Sequence, residues 1–143
     1  MQREDFDLGA ELAALRAGRT DIGALVSFTG LVRDRGDGLA ALELEHYPGM
    51  TEKALAAIEA EARARWPLDA CVIVHRYGQL RPGEQIMMVA TASAHRQAAF
   101  AAAEFLMDYL KSHAPFWKKE EAGGAARWVD AREEDEVALR RWG

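Results

Sequence analysis

Two groups of cations stand apart in an otherwise acidic chain. Ser93-Ala94-His95-Arg96 precedes a long apolar-periodic run. Lys111 lies near the end of that run, and Phe116-Trp117-Lys118-Lys119-Glu120 follows a few residues later. Free N–H groups and the dipole at a helix start favour anions. With Ser93 as the expected N-cap, His95 and Arg96 sit where cations oppose that dipole. A docked phosphate or carboxylate would offset this cost; the other reading is a solvated helix-start pair with no ligand. Lys111 falls in the last helical turn, where a cation is favourable in any case. Beside other cations, a lysine can also lose its proton and act as base or nucleophile. Lys118 and Lys119 point to opposite faces of a strand, so at most one of them shares a pocket with Lys111.

A third segment, Phe28-Thr29-Gly30-Leu31-Val32-Arg33, places a glycine inside an apparent strand. Such a glycine marks a bulge or the close approach of a ligand to the backbone. Arg33 at the strand end suits a bidentate grip on phosphate, or is simply solvated. The flanking glycines and lysine of a phosphate-binding loop are missing, which excludes nucleotide binding of that type.

Other groups point to less. Cys71 lies in an apolar run and reads as a small core residue. His46, His75, His95 and His113 lack metal-ligand spacing, so no metal is expected. Glu43 and Glu45 share one strand face, taken as the solvated one, and Trp66, Trp117, Trp128 and Trp142 read as core or interface anchors.

These residues need a scaffold, and 143 residues are one domain's worth, residues 1–143. Of the 50% hydrophobic residues 28 are alanine, which still leaves enough larger side chains for an ordinary core. No apolar run reaches the roughly 18 residues of a membrane span. The acidic N-terminus lacks a signal core, and one cysteine makes no disulfide framework. A cytoplasmic enzyme or binding module is expected. A net charge of −5 argues against a nucleic-acid partner, while clustered cations in an acidic chain point to a small anionic ligand.

Apolar spacing predicts a helix over Leu8–Ala17 behind an Asp7 cap, and strands over Ala24–Val32 and Leu39–Tyr47 around an Arg33–Gly38 turn. A helix over Thr51–Trp66 is stopped by Pro67. Strands follow at Cys71–Tyr77 and Gln85–Ala92 around the Arg81-Pro82-Gly83-Glu84 turn. The second long helix spans Ala94–His113, with Phe100, Ala103, Leu106, Met107 and Leu110 as its buried stripe and Pro115 ending it. Short strands at Phe116–Glu120 and Arg127–Ala131 flank Gly123-Gly124, and a last helix covers Glu133–Arg141. Strand pairs joined by tight turns imply antiparallel pairing with helices packed on one face, a two-layer α+β sandwich.

In this order, several motifs resemble the catalytic large subunit family of molybdopterin synthase. They are Phe28-Thr29-Gly30 with Val32-Arg33, Leu44-Glu45-His46-Tyr47-Pro48-Gly49-Met50, Ser93-Ala94-His95-Arg96, Met107-Asp108-Tyr109-Leu110-Lys111, Ala114-Pro115-Phe116-Trp117-Lys118 and Arg127-Trp128-Val129. The resemblance implies an α/β-hammerhead-like fold and a sulfurtransferase of molybdenum-cofactor biosynthesis. Its substrate would be cyclic pyranopterin monophosphate. The sulfur donor would be the thiocarboxylated Gly-Gly tail of a small ubiquitin-like (MoaD-like) carrier subunit. Lys111 and Lys118 carry over as catalytic lysines. Arg33, His95, Arg96 and Arg132 would surround the pterin phosphate, Phe28 and Met107 would line the pocket, and Leu31, Val32, Lys119 and Glu120 would complete the substrate contacts. The resemblance implies no cofactor. A homodimer within a heterotetramer is expected, because 15 helical residues put Arg96 and Lys111 roughly 22 Å apart, too far for one substrate unless two copies share each site. The competing reading is a non-catalytic module that binds an anionic metabolite or a partner's C-terminal tail.

Overall fold

The computed structural model describes residues 1–34, 39–113, 116–122, 125–129 and 133–142, with side chains described outside 39–40 and 116–136. The order is α1 (Leu8–Arg16), β1 (Ala24–Leu31), β2 (Leu39–His46), α2 (Met50–Arg65), β3 (Ala70–His75), β4 (Gly78–Leu80), β5 (Gln85–Ser93), α3 (Arg96–His113), β6 (Phe116–Ala122), β7 (Ala125–Val129) and α4 (Glu133–Arg140). The strands form two sheets, β1-β5-β3 and β4-β2-β6-β7, with antiparallel pairing throughout. The α+β class is as expected.

Strand pairing departs from the sequence reading at two places. β1 and β2 do not pair with each other: β1 joins β5, while β2 lies between β4 and β6 in the other sheet. A bulge between Gly30 and Leu31 bends β1 at its end. Val32 N then donates to the Glu84 carbonyl at 2.9 Å, and Gly83 N donates to the Val32 carbonyl at 2.7 Å. The end of β1 is thus tied to the Arg81–Glu84 turn rather than to β2. The three-residue β4 was also not expected. Gly78, at φ +95°, turns the chain from the first sheet into the second there.

Helices cover both faces of the three-stranded sheet, which corrects the one-face expectation. Met87 and Val89 of β5 pack with Leu55 and Ile58 of α2 and with Phe105, Leu106 and Leu110 of α3. The alternate residues Met88 and Ala90 pack on Phe6, beside Leu8, Leu12 and Leu15 of α1. Central β5 is therefore buried from Met87 to Ser93. Asp7 caps α1 as expected, its carboxylate accepting from Ala10 N at 3.0 Å. Among the described residues, no helix is long and apolar enough to cross a membrane.

The expected stripe of α3 holds for Ala103, Leu106 and Leu110, which are buried, and Met107 is half-buried. It fails at Phe100, which is 61% exposed. Phe100 and Phe105 lie about 140° apart around a helix at 100° per residue, so one face cannot bury both. Phe105 takes the core because Trp66 and Trp142 meet it edge-on, with ring centroids 5.3 and 5.6 Å away. Trp142 Nε1 donates to the Asp108 carboxylate, and Arg65 Nη1 donates to the Trp142 carbonyl at 2.8 Å. These bonds return the chain end to α3 and α2. The 35–38 part of the expected turn, Pro115 and Gly123-Gly124 lie outside the described residues.

Candidate active site

A cavity of about 530 Å³ opens between the end of β1 and the C-terminal half of α3. β1 supplies Phe28 and Leu31, followed by Val32 and Arg33; α3 supplies Met107, Leu110 and Lys111. Six residues expected at the site from two distant sequence segments therefore share one space. The bulge at Gly30 contributes directly, because Gly30 itself lines the cavity and sets the direction in which Leu31 and Arg33 leave the strand. A side chain at Gly30 would press on Met87, whose sulfur lies 3.4 Å from an added Cβ.

The cavity is apolar inside and cationic at its edge. Met87, Ile86 and Met107 form walls, while Arg33 and Lys111 are exposed. Phe28 and Leu31 are 45% and 56% exposed, so the mouth presents apolar surface to solvent. That combination suits a flat ring system carrying an anionic group: the walls cover the ring and the cations face the charge.

Lys118 lies on β6 of the second sheet. Its register partners are Leu44 on β2 and Val129 on β7, whereas Lys119 pairs with Glu43 and Trp128, and Glu120 with Leu42 and Arg127. Leu42 and Leu44 form a buried cluster with Val32, which also lines the cavity. Lys118 and Glu120 thus occupy positions on the Leu42–Leu44 face, and Lys119 a position on the Glu43 face. The side chains of these three residues, and Arg132 altogether, lie outside the described residues.

His95 and Arg96 are not at this cavity. α3 is unbroken from Arg96 to His113, and the 15 residues between Arg96 and Lys111 span roughly 22 Å. His95 instead lines a separate cavity of about 520 Å³ with Trp66, Pro67 and Asp69. Ser93 is not the helix cap. It still pairs with Ala24 in the sheet, and its buried hydroxyl donates to the Pro67 carbonyl at 2.7 Å.

Cys71 stands on β3 among core residues away from the cavity. Burial, with Glu59 nearby, pushes its thiol up to about 12, so it is not a nucleophilic thiolate at neutral pH. His75 does line the cavity, although its spacing gave no metal motif and no other signal. Strand parity was the available clue: His75 follows Cys71 and Ile73 at alternate positions on the face that packs against α2 and α3.

Comparison with known proteins shows the family. The family model described as MoaE protein matches residues 1–113. The molybdopterin synthase catalytic subunit of Ralstonia nicotianae is 63% identical over 100% of this chain and 82% of its own length. The molybdopterin biosynthesis MoaE protein from Burkholderia ambifaria superposes with a TM-score of 0.86 at 61% identity, covering 99% of this chain and 95% of the other. The crystal structure of molybdopterin synthase from Staphylococcus aureus follows at 34% identity and a TM-score of 0.81, covering 89% and 93%. On the family match and these near full-length identities, the chain belongs to the MoaE family of molybdopterin synthase catalytic subunits.

Proposed function

We propose that the chain transfers sulfur from the thiocarboxylated C-terminus of a small ubiquitin-like carrier subunit to cyclic pyranopterin monophosphate, forming the dithiolene of molybdopterin. The observation that carries this reading is the apolar cavity edged by Arg33 and Lys111, next to the sheet that bears Lys118. Phe28, Leu31, Val32 and Met107 enclose the pterin and the extended tail, and keep water from the reacting carbons. Arg33 faces the phosphate. Lys111 and Lys118 stabilise charge that develops as the cyclic phosphate opens and oxygen leaves the pterin, and one of them moves the proton. Glu120 and Arg132 complete the contacts around the substrate, whereas Lys119, expected among them, has its register position on the opposite, Glu43 face of β6.

His95 and Arg96 enter this scheme through a second copy of the chain. With some 22 Å of helix between them and Lys111, they reach a pterin at Lys111 only if two copies pack with one α3 start beside the other's end. A two-fold axis then builds two identical sites. The unit is a homodimer carrying one carrier subunit on each protomer, and a single domain over residues 1–143 supplies each half. The reaction belongs to the cytoplasm, consistent with a lone, unpaired cysteine.

Purified protein, thiocarboxylated carrier and pterin substrate should together yield dithiolene. Lys111→Ala should lower turnover by about 10²-fold or more, the usual scale for a proton-transfer group. Binding of both reactants without dithiolene formation would instead make the chain a non-catalytic module.

A further inference from the structure

We propose that Arg76 is a positioning residue that, from outside the cavity, fixes the strand end presenting Arg33 to the substrate's phosphate; the inference rests on the sulfur-transfer reading above. Arg76 directly follows β3 and is only 7% exposed, yet its side chain is permanently charged. Its Nη1 donates to the Gln85 carbonyl at 2.9 Å, and its Nε to the Arg3 carbonyl at 3.1 Å. Carboxylate oxygens of Glu84 and Asp5 lie 3.7 and 3.9 Å from Nη1. A buried guanidinium is costly to desolvate, and an apolar side chain of similar size could not hold two carbonyls.

The register of β5 shows what those carbonyls do. Gly30 pairs with Met87 and Leu31 with Gln85, so the ladder to β1 skips Ile86. Arg76 meets β5 at that skip from the opposite side. Its backbone N donates to the Ile86 carbonyl at 2.9 Å, while its guanidinium takes the Gln85 carbonyl. One residue thus holds two consecutive carbonyls at the irregularity, which fixes how β5 enters the ladder. Glu84, the residue before β5, turns its carboxylate toward the same guanidinium.

From Glu84 the constraint passes to the cavity. The Glu84 carbonyl accepts from Val32 N, and Gly83 N donates to the Val32 carbonyl. Val32 is 4% exposed, and Arg33 follows it at the cavity edge. Gly83, Ile86, Val32 and Arg33 line the cavity; Arg76 stands behind them. Removing its guanidinium releases Gln85 and Glu84 but leaves every substrate-facing side chain in the sequence. An arginine's grip on phosphate depends on direction, so a small displacement passed along this path weakens it.

The test is steady-state kinetics with the pterin substrate varied at saturating thiocarboxylated carrier, beside thermal melts. Arg76→Gln should raise the pterin KM by about 10-fold, the scale of one weakened charge-assisted contact. Its kcat should stay within about 2-fold of wild type. Arg76→Lys keeps the charge without the fork that spans two carbonyls, and should fall between Arg76→Gln and wild type. In an Arg33→Ala background, Arg76→Gln should add less than about 2-fold, because the group it positions is gone. Amide exchange at Val32 and Gly83 should be faster in Arg76→Gln, a readout of the tether that needs no turnover. Unchanged exchange, an unchanged pterin KM in folded Arg76→Gln, or the full rise on top of Arg33→Ala would each overturn the proposal. Failure of both Arg76 variants to fold would do the same, by assigning Arg76 to stability alone. Absence of dithiolene with wild-type protein would remove the sulfur-transfer reading itself, and the role of Arg76 with it, whatever the exchange rates.

Discussion

Sulfur chemistry draws attention first to the one thiol, and the environment of Cys71 argues against a role for it. A thiol pushed up to about 12 is a thiolate in only about one molecule in 10⁴ at pH 8, too little for a sulfur carrier. Its place on β3, opposite Thr91, also keeps it apart from the cavity. Cys71→Ser should therefore retain most sulfur-transfer activity and lose about 1 kcal/mol of stability, as a small polar group enters a mostly buried site. Activity measured beside a denaturation curve checks both parts. A folded serine variant unable to transfer sulfur would reverse this assignment. The contrast with Lys111 is one of position: exposure at a cavity edge leaves a charged group free to meet a substrate.

At the scale of elements, β6 turns one pair of adjacent lysines into two distinct positions. Lys118 lies across from buried Leu44, and Lys119 across from Glu43. Lys118→Ala should cost far more activity than Lys119→Ala under identical assay conditions. Equal losses would show that register does not separate the two. The junction between β5 and α3 makes a second, structural prediction. Gly23 N donates to the Ser93 carbonyl at 3.0 Å, and a Cβ at Gly23 would lie only 2.2 Å from the Ala94 carbonyl oxygen. That neighbour is backbone and has little freedom to move. Gly23→Ala should therefore destabilise the fold by about 1–3 kcal/mol, visible as a lower Tm for a chain of this size.

For the whole molecule, the decisive quantity is the length of α3. Its unbroken course from Arg96 to His113 assigns His95 and Lys111 to different cavities of one chain. If two copies build each site, mixing Arg96→Ala with Lys111→Ala protein under exchange conditions should restore activity. A mixed dimer then has one site with both lesions and one with neither. A statistical mixture should approach about a quarter of wild-type turnover, half the dimers being mixed with one intact site each. No recovery despite demonstrated subunit exchange would show that each site is built within one chain.

Local pattern determined much of this protein from the sequence alone. Asp7 at a helix start, Pro67 after α2, the Arg81–Glu84 turn and the bulge at Gly30 each follow from backbone preferences that act over a few residues. The cation groups were legible for the same reason: residue type and spacing reveal chemistry before any fold is known. Only the tertiary structure decided that β1 pairs with β5 rather than β2, because both neighbours satisfy the same alternation and the choice lies in long-range packing. It also chose Phe105 over Phe100 for the core, through Trp66 and Trp142, which come from the middle and the end of the sequence. His75 entered the cavity in the same way. A lone histidine has no local signature, and its place beside Lys111 exists only because β3, β5 and α3 pack together.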